Sequence, residues 1–123
     1  MIALILALSI IGNSILPIGN TYAGYSRWYR PGLMKVVSLN RGLEPVSCMV
    51  ASPYERIGTW LKIENKKGDY RWCRVTDISH PKDRARHIRL NIVAEFDYNS
   101  ARVLCGLNKE KKPNNCRVRV TRA

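Results

Sequence analysis

The carboxyl group of Asp77 stands where a β-strand pattern ends, which makes it the first candidate for chemistry. The segment Cys73–Asp77 alternates between apolar and polar residues and then breaks into the polar loop Ile78–Asp83. An acid at the end of a half-buried strand is a common way to present a reactive group at the mouth of a small β-barrel. In that place a carboxyl group can give or take a proton. Farther along the chain, Glu95 is a possible second acid.

Both acids also have ordinary structural explanations. The Asp77 carboxylate would cap amide groups of the loop that follows its strand. Glu95 would be an exposed strand residue paired with an arginine. A catalytic acid needs a raised pKa, which partial burial or a second carboxylate provides. The nearby arginines favour the ionised form instead; they are Arg74, Arg84, Arg86 and Arg89.

The clearest local element is the β-hairpin that leads into Asp77. Trp60–Glu64 and Tyr70–Thr76 both alternate, and the loop between them contains Gly68. This pattern predicts two antiparallel strands joined by a glycine-containing turn.

A second alternating run, His87–Phe96, follows the polar loop and predicts another strand. A helix capped by Asn91 is the alternative, which the β-branched side chains after Asn91 disfavour. Asp97 then predicts the N-cap of a short helix over Tyr98–Cys105, and Gly106 predicts its end.

The remaining elements are short. Val46–Ala51 predicts a buried strand and Cys116–Thr121 a final one, whereas Leu33–Leu39 fits either a strand or one helical turn. The sum is about six short strands and one short helix. It predicts a mainly β fold, a small closed or nearly closed six-stranded β-barrel.

The N-terminal segment 1–23 has no charged side chain and predicts a signal peptide. Its apolar run, Met1–Ile11, is too short for a spanning helix of about 20 residues. The small residue Ala23 suits a cleavage site. Cleavage there would leave one secreted domain, extracellular or periplasmic, at residues 24–123 with no stable membrane span. A retained anchor is the alternative.

The charge is strongly positive, with 21 Lys and Arg against 9 Asp and Glu and a formal net charge of +12. Such a field favours polyanionic partners, which are nucleic acid, anionic lipid or an acidic cell-wall polymer. Solubility alone is the other explanation. An exported protein has no access to intracellular nucleic acid, so we expect no specific nucleic-acid partner.

The four cysteines predict two disulfides, because an even number in a small exported chain reads as a disulfide framework. Zinc is disfavoured because no Cys-x-x-Cys pair is present. Of the three connectivities, we favour Cys48–Cys73, which ties a leading strand to the central one, and Cys105–Cys116, which closes a short polar loop. We expect no metal and no cofactor.

Three blocks of the chain resemble the rare lipoprotein A-like family. They are Ala51–Thr59, Val75–Asp77 and Ala94–Leu104, and Tyr25–Ser26 matches the family's aromatic-small start. The family's blocks read roughly T-A-A-H-x-x-L-P-F-G-T, V-x-V-x-D-R-G-P and I-D-L-S-x-x-A-x-x-x-L. The resemblance implies a double-psi β-barrel, related to barwin, expansins and family 45 endoglucanases.

The resemblance also assigns roles to residues. Asp77 falls on the acid of the second block and Glu95 on the acid of the third. A rival alignment places Arg89, instead of Glu95, on the acid position of the third block and leaves Asp77 as the one acid. Ser52 replaces the first block's His, and His80 could stand in for it. Lytic transglycosylases of the family cut peptidoglycan glycans. The sugar's own 6-hydroxyl is the nucleophile there, so one carboxyl group can act as acid and then base.

The resemblance thus implies a monomeric peptidoglycan lytic transglycosylase with Asp77 as the catalytic acid and Glu95 assisting it. The candidate substrate-binding residues are Tyr25, Trp28, Tyr29, Ser52, Tyr54 and His80. Barrel packing explains the aromatic ones nearly as well. We expect Trp60, Trp72 and Phe96 in the core, and His80 and His87 on the surface.

Two other functions stay open. The first is a non-catalytic, expansin- or barwin-like module that binds or loosens cell-wall polysaccharide through basic charge and aromatic side chains. The second is a secreted basic toxin or effector.

Overall fold

The computed structural model describes residues 8–11, 14–17 and 20–123, which contain eight strands and three helices. The strands are β1 (Leu8–Ile11), β2 (Ser14–Pro17), β3 (Thr21–Trp28), β4 (Met49–Ser52), β5 (Trp60–Asn65), β6 (Tyr70–Ile78), β7 (Ile92–Phe96) and β8 (Arg117–Arg122). The helices are α1 (Leu33–Asn40), α2 (Pro81–Arg89) and α3 (Tyr98–Cys105).

Six strands form a closed barrel in the order β3-β7-β4-β6-β5-β8, so the predicted mainly β barrel is confirmed. The pairs β3–β7 and β4–β6 are parallel, and the other four are antiparallel. Strands β1 and β2 pair with each other in a separate two-stranded sheet.

The predicted signal peptide lies partly outside the described residues. Within the described part, Thr21–Ala23 already belong to β3 and pair with Arg119–Thr121 of β8. Cleavage after Ala23 would therefore remove three paired residues of a barrel strand. Cleavage itself stays a prediction.

Side chains point alternately inward and outward along each strand, so one face of each strand fills the barrel interior. Leu61 and Ile63 of β5, Cys73 and Val75 of β6, and Val118 and Val120 of β8 are all buried. Phe96 is buried as predicted, but the prediction for Trp60 and Trp72 is wrong, since both are exposed. Their neighbours point inward, and in a strand the next residue must point outward.

The predicted strand His87–Phe96 is wrong in its first half, because α2 ends at Arg89 and β7 begins at Ile92. His80 caps α2 by accepting from the backbone amide of Lys82, and Pro81 occupies the first turn. These start signals outweigh the alternation of the segment. Asn91, in the left-handed region at φ 56°, connects α2 to β7.

The number of helices also differs from the expectation of one. The undecided segment after Gly32 forms α1, and α2 begins inside the predicted polar loop Ile78–Asp83 and takes up its second half. The third helix is confirmed. Asp97 caps α3 by accepting from the backbone amide of Ser100, and Gly106 follows its last residue.

Both predicted disulfides, Cys48–Cys73 and Cys105–Cys116, are confirmed. The first lies fully buried in the barrel core and joins the residue before β4 to the middle of β6. The second joins the last residue of α3 to the residue before β8. Among the described residues, no helix combines the length and the apolar character needed to cross a bilayer.

Candidate active site

The site is built on a row of four residues that crosses four neighbouring strands. Arg27 of β3 is in register with Glu95 of β7, Glu95 with Ala51 of β4, and Ala51 with Asp77 of β6. Residues opposite each other in register share a face of the sheet. Because Val50 and Phe96 fill the barrel interior, this row lies on the outer face. The two acids are two strands apart, about 10 Å between Cα atoms.

Both acids line one open groove of about 550 Å³. The groove is also lined by Tyr29, Arg41, the segment Ile78–Pro81, and Asp83, Arg86 and His87 of α2. This volume falls within the range of small-molecule pockets.

Asp77 is held by two donors from elements distant in sequence. Its Oδ2 accepts a hydrogen bond from the Tyr29 hydroxyl at 2.7 Å, and its Oδ1 accepts one from Arg41 Nη2 at 2.6 Å. A cationic donor on one oxygen and a hydroxyl on the other suit a carboxylate anion. Burial and the neighbouring Asp77 raise the pKa of Tyr29, which keeps the phenol as a donor. These partners differ from the loop amides that the structural explanation expected.

Glu95 has a different environment. Burial raises its pKa above the ordinary value, and the negative charges of Asp77 and Asp83 add to that rise while Arg27 opposes it. Its side chain is largely buried, at 17% exposure, rather than exposed on the strand. Glu95 is therefore the carboxyl group in the groove that is suited to carry a proton.

His87 lies beside Glu95 and is buried, so the expectation of a surface histidine is wrong for this residue. It projects from α2, the helix whose end was predicted as a strand because the residues after His87 alternate between apolar and polar. Burial and the positive charges of Arg27 and Arg86 lower its pKa, against the opposite effect of Asp83. His87 Nδ1 lies 2.8 Å from Ser79 Oγ and 3.5 Å from Glu95 Oε1. A catalytic triad places serine and acid on opposite ring nitrogens, so these three residues do not form one.

Of the predicted substrate-binding residues, Tyr29 and His80 line the groove. His80 is exposed, as expected, and caps α2. Ser52, set on the lost His of the first block, is buried, and its hydroxyl accepts from the backbone amides of Tyr54 and Glu55.

The other three aromatic candidates lie elsewhere. Trp28 packs edge-on against Tyr98, and Tyr54 packs edge-on against Tyr22. Tyr25 is exposed beneath the guanidinium of Arg117. The four aromatic candidates for substrate binding therefore do not form one continuous surface beside the two acids.

Several groove residues were missed by the sequence analysis: Arg27, Arg41, Ser79, Asp83 and His87. Arg27 precedes Trp28 in an unassigned stretch, and Arg41 lay in a predicted loop. The helix start at His80–Pro81 is the one local signal that would have brought Asp83 and His87 to the groove.

Within the described residues, no cluster of three His, Cys, Asp or Glu side chains could hold a metal ion. Comparison of the chain with protein-family models, with curated proteins and with solved structures found no match. The resemblance to the rare lipoprotein A-like family stays a prediction.

Proposed function

We propose that this protein is a lytic transglycosylase that cuts the glycan strand of peptidoglycan in the groove. One observation carries the proposal: two carboxyl groups in different surroundings line a single open groove. Glu95 has a pKa raised by burial, and Asp77 accepts hydrogen bonds from Tyr29 and Arg41. Acid-catalysed cleavage of a glycosidic bond needs such a pair.

The environments assign the roles. Glu95 protonates the leaving glycosidic oxygen, and the charge of Asp77 balances the oxocarbenium ion that develops on the sugar. The 6-hydroxyl of the same sugar then attacks its C1 atom and gives its proton to Glu95. This step closes the anhydro ring and restores the acid. The assignment exchanges the roles that the resemblance implied, in which Asp77 was the acid.

The basic side chains of the groove fit a carboxyl-bearing glycan. Arg27, Arg41 and Arg86 line it, and guanidinium groups bind carboxylates well. Peptidoglycan carries carboxylates on its peptide substituents, and on its lactyl groups where the peptide has been removed. The two disulfides agree with an oxidising compartment, where such a polymer is found.

The test is release of anhydro-muropeptides from purified peptidoglycan, followed by mass spectrometry. The wild type should release them, and Glu95→Gln should lower the rate by about 10²–10⁴-fold, the usual contribution of a general acid. Asp77→Asn should also lower it strongly.

Glu44→Gln is the matched control, because it makes the same change at an exposed acid outside the groove and should keep most of the activity. A wild type that releases nothing would overturn the proposal. So would a Glu95→Gln variant that works at the wild-type rate.

A non-catalytic wall-binding module is the second candidate. The observation that favours it is the replacement of the family's His by Ser52, whose hydroxyl is engaged with backbone amides. A wild type that binds peptidoglycan without releasing products would establish this candidate in place of the first.

A further inference from the structure

We propose that the outer face of the β5–β6 hairpin binds an acidic glycan chain at a surface separate from the groove. This hairpin face consists of Trp60, Lys62, Tyr70, Trp72 and Arg74. The choice of polymer rests on the proposed function, but the existence of the surface does not.

The hairpin face alternates aromatic and cationic side chains across the two strands, except at Glu64, which lies opposite Tyr70 and is paired with Arg119 of β8. Trp60 is paired in register with Arg74, and Lys62 with Trp72. Lys62 Nζ also lies 4.5 Å from the centre of the Tyr70 ring. The face therefore presents rings and positive charges side by side.

The exposure of the three rings has no packing explanation. Trp60 is 41% exposed, Tyr70 54% and Trp72 48%, while the inward side of the same hairpin already supplies Leu61, Ile63 and Cys73 to the core. Large aromatic side chains gathered on one exposed face mark interaction sites.

The chemistry of the face selects the ligand. Flat rings pack against the apolar C–H face of a pyranose, and the neighbouring cations attract carboxylates. Lys66 and Lys67 in the exposed hairpin turn extend the positive charge. Single-stranded nucleic acid would satisfy stacking and charge as well. The two disulfides point to an oxidising compartment, and this favours the glycan.

Strand β6 connects the hairpin face to the groove. Trp72 and Asp77 are five residues apart on this strand, a distance of about 16 Å at 3.3 Å per residue. A polymer that reaches from the hairpin face past α1, which packs against β6, would contact the carboxyl groups with another part. The hairpin face would thus hold an insoluble chain near the groove.

The test is a pelleting assay with insoluble peptidoglycan, which measures bound protein and needs no cleavage. The double variant Trp60→Ala/Trp72→Ala should bind at least about tenfold more weakly, as is usual when central tryptophans of an interface are truncated. Trp72→Phe alone should keep most of the binding, because it keeps a ring.

Val103→Ala is the matched control, because it truncates a side chain of similar exposure on α3 and should bind like the wild type. Circular dichroism and thermal melting should show that all variants are folded. Binding of the double variant within twofold of wild type would overturn the proposal.

Soluble probes test the ligand class. Polygalacturonate, an acidic pyranose chain, should bind more tightly than neutral amylose and more tightly than oligo-dT. Tighter binding of oligo-dT or of amylose would overturn the assignment to an acidic glycan. Since binding and product release are separate readouts, a wild type that cleaves nothing leaves this test valid.

Discussion

Asp77 and Glu95 carry the same functional group in different surroundings, and the surroundings decide what each can do. Asp77 accepts from Arg41 and Tyr29, so both of its oxygens are held in place. Glu95 is largely buried, and its Oε1 lies 3.5 Å from His87 Nδ1. Burial raises the pKa of Glu95 and lowers the pKa of His87, so both shifts favour the neutral forms of the pair. Carboxyl groups held in different surroundings are the usual basis for dividing acid and base roles.

The raised pKa of Glu95 predicts that Glu95→Gln stabilises the fold at neutral pH. A folded-state pKa above the unfolded value means that the ionised group costs stability. Wild type should therefore gain stability, relative to the variant, as the pH falls through the folded pKa towards the ordinary value of 4.5. Thermal melting should show a higher Tm for Glu95→Gln at pH 7 and a gap that closes in acid.

Glu44→Gln is the control for this melting series, since Glu44 is an exposed acid outside the groove and the variant should melt like the wild type at every pH. A Glu95→Gln variant that melts at or below the wild-type temperature at pH 7 would contradict the argument.

The junction of β7 and α3 fixes the strand that carries Glu95. Asp97 follows β7 directly, and its Oδ1 accepts from the backbone amide of Ser100 at 2.9 Å, which caps α3. Its Oδ2 accepts from the backbone amide of Met49 at 2.8 Å and from the Ser100 hydroxyl at 2.7 Å. One carboxylate thus ties the start of a helix to β4, the strand between the two acids of the groove.

Loss of this junction should be costly. Asp97→Ala removes the helix cap and leaves the buried amide of Met49 without its side-chain acceptor, so we expect a loss of about 2–4 kcal/mol in the free energy of unfolding. Asp97→Asn should lose less, because an amide oxygen still accepts. Urea denaturation measures both.

Asp69→Ala, in the exposed hairpin turn, should stay within about 0.5 kcal/mol and serves as the comparison. An Asp97→Ala loss no larger than that of Asp69→Ala would show that the junction is not a stabilising element.

Local sequence signals predicted an element correctly where no second signal in the same segment favoured a different element. The hairpin ending in Asp77 and the helix between Asp97 and Gly106 follow from alternation, turn and cap residues. Around His87 two signals conflicted. The alternation favoured a strand and the start signal at Pro81 favoured a helix; the strand was predicted, and the helix is what forms. The partners of Asp77 had no local signature at all, since Arg41 lies 36 residues away and reaches it through the position of α1.

The molecule as a whole is a small barrel with a high positive charge, and its two disulfides compensate for a limited core. Cys48–Cys73 spans 25 residues inside the core, whereas Cys105–Cys116 spans 11 residues and is partly exposed. A longer closed loop restricts the unfolded chain more strongly. The two bridges should therefore differ in what they contribute.

The double variant Cys48→Ala/Cys73→Ala should lose roughly 3–5 kcal/mol, because it loses the longer loop constraint and two buried sulfur atoms. Cys105→Ala/Cys116→Ala should lose less, roughly 2–3 kcal/mol. Urea unfolding of both variants under identical conditions gives the comparison. A larger loss for the second pair would contradict the expected order.

The pairing of Thr21–Tyr25 with Arg117–Thr121 joins strands from opposite ends of the described chain. A polypeptide that emerges amino end first cannot close this ring until β8 has emerged. Until then β3 and β5 each keep one edge without a neighbour, and open edges invite intermolecular pairing. The nascent protein is thus exposed to aggregation until β8 has emerged, and a chain shortened to residue 116 would remain in that state permanently.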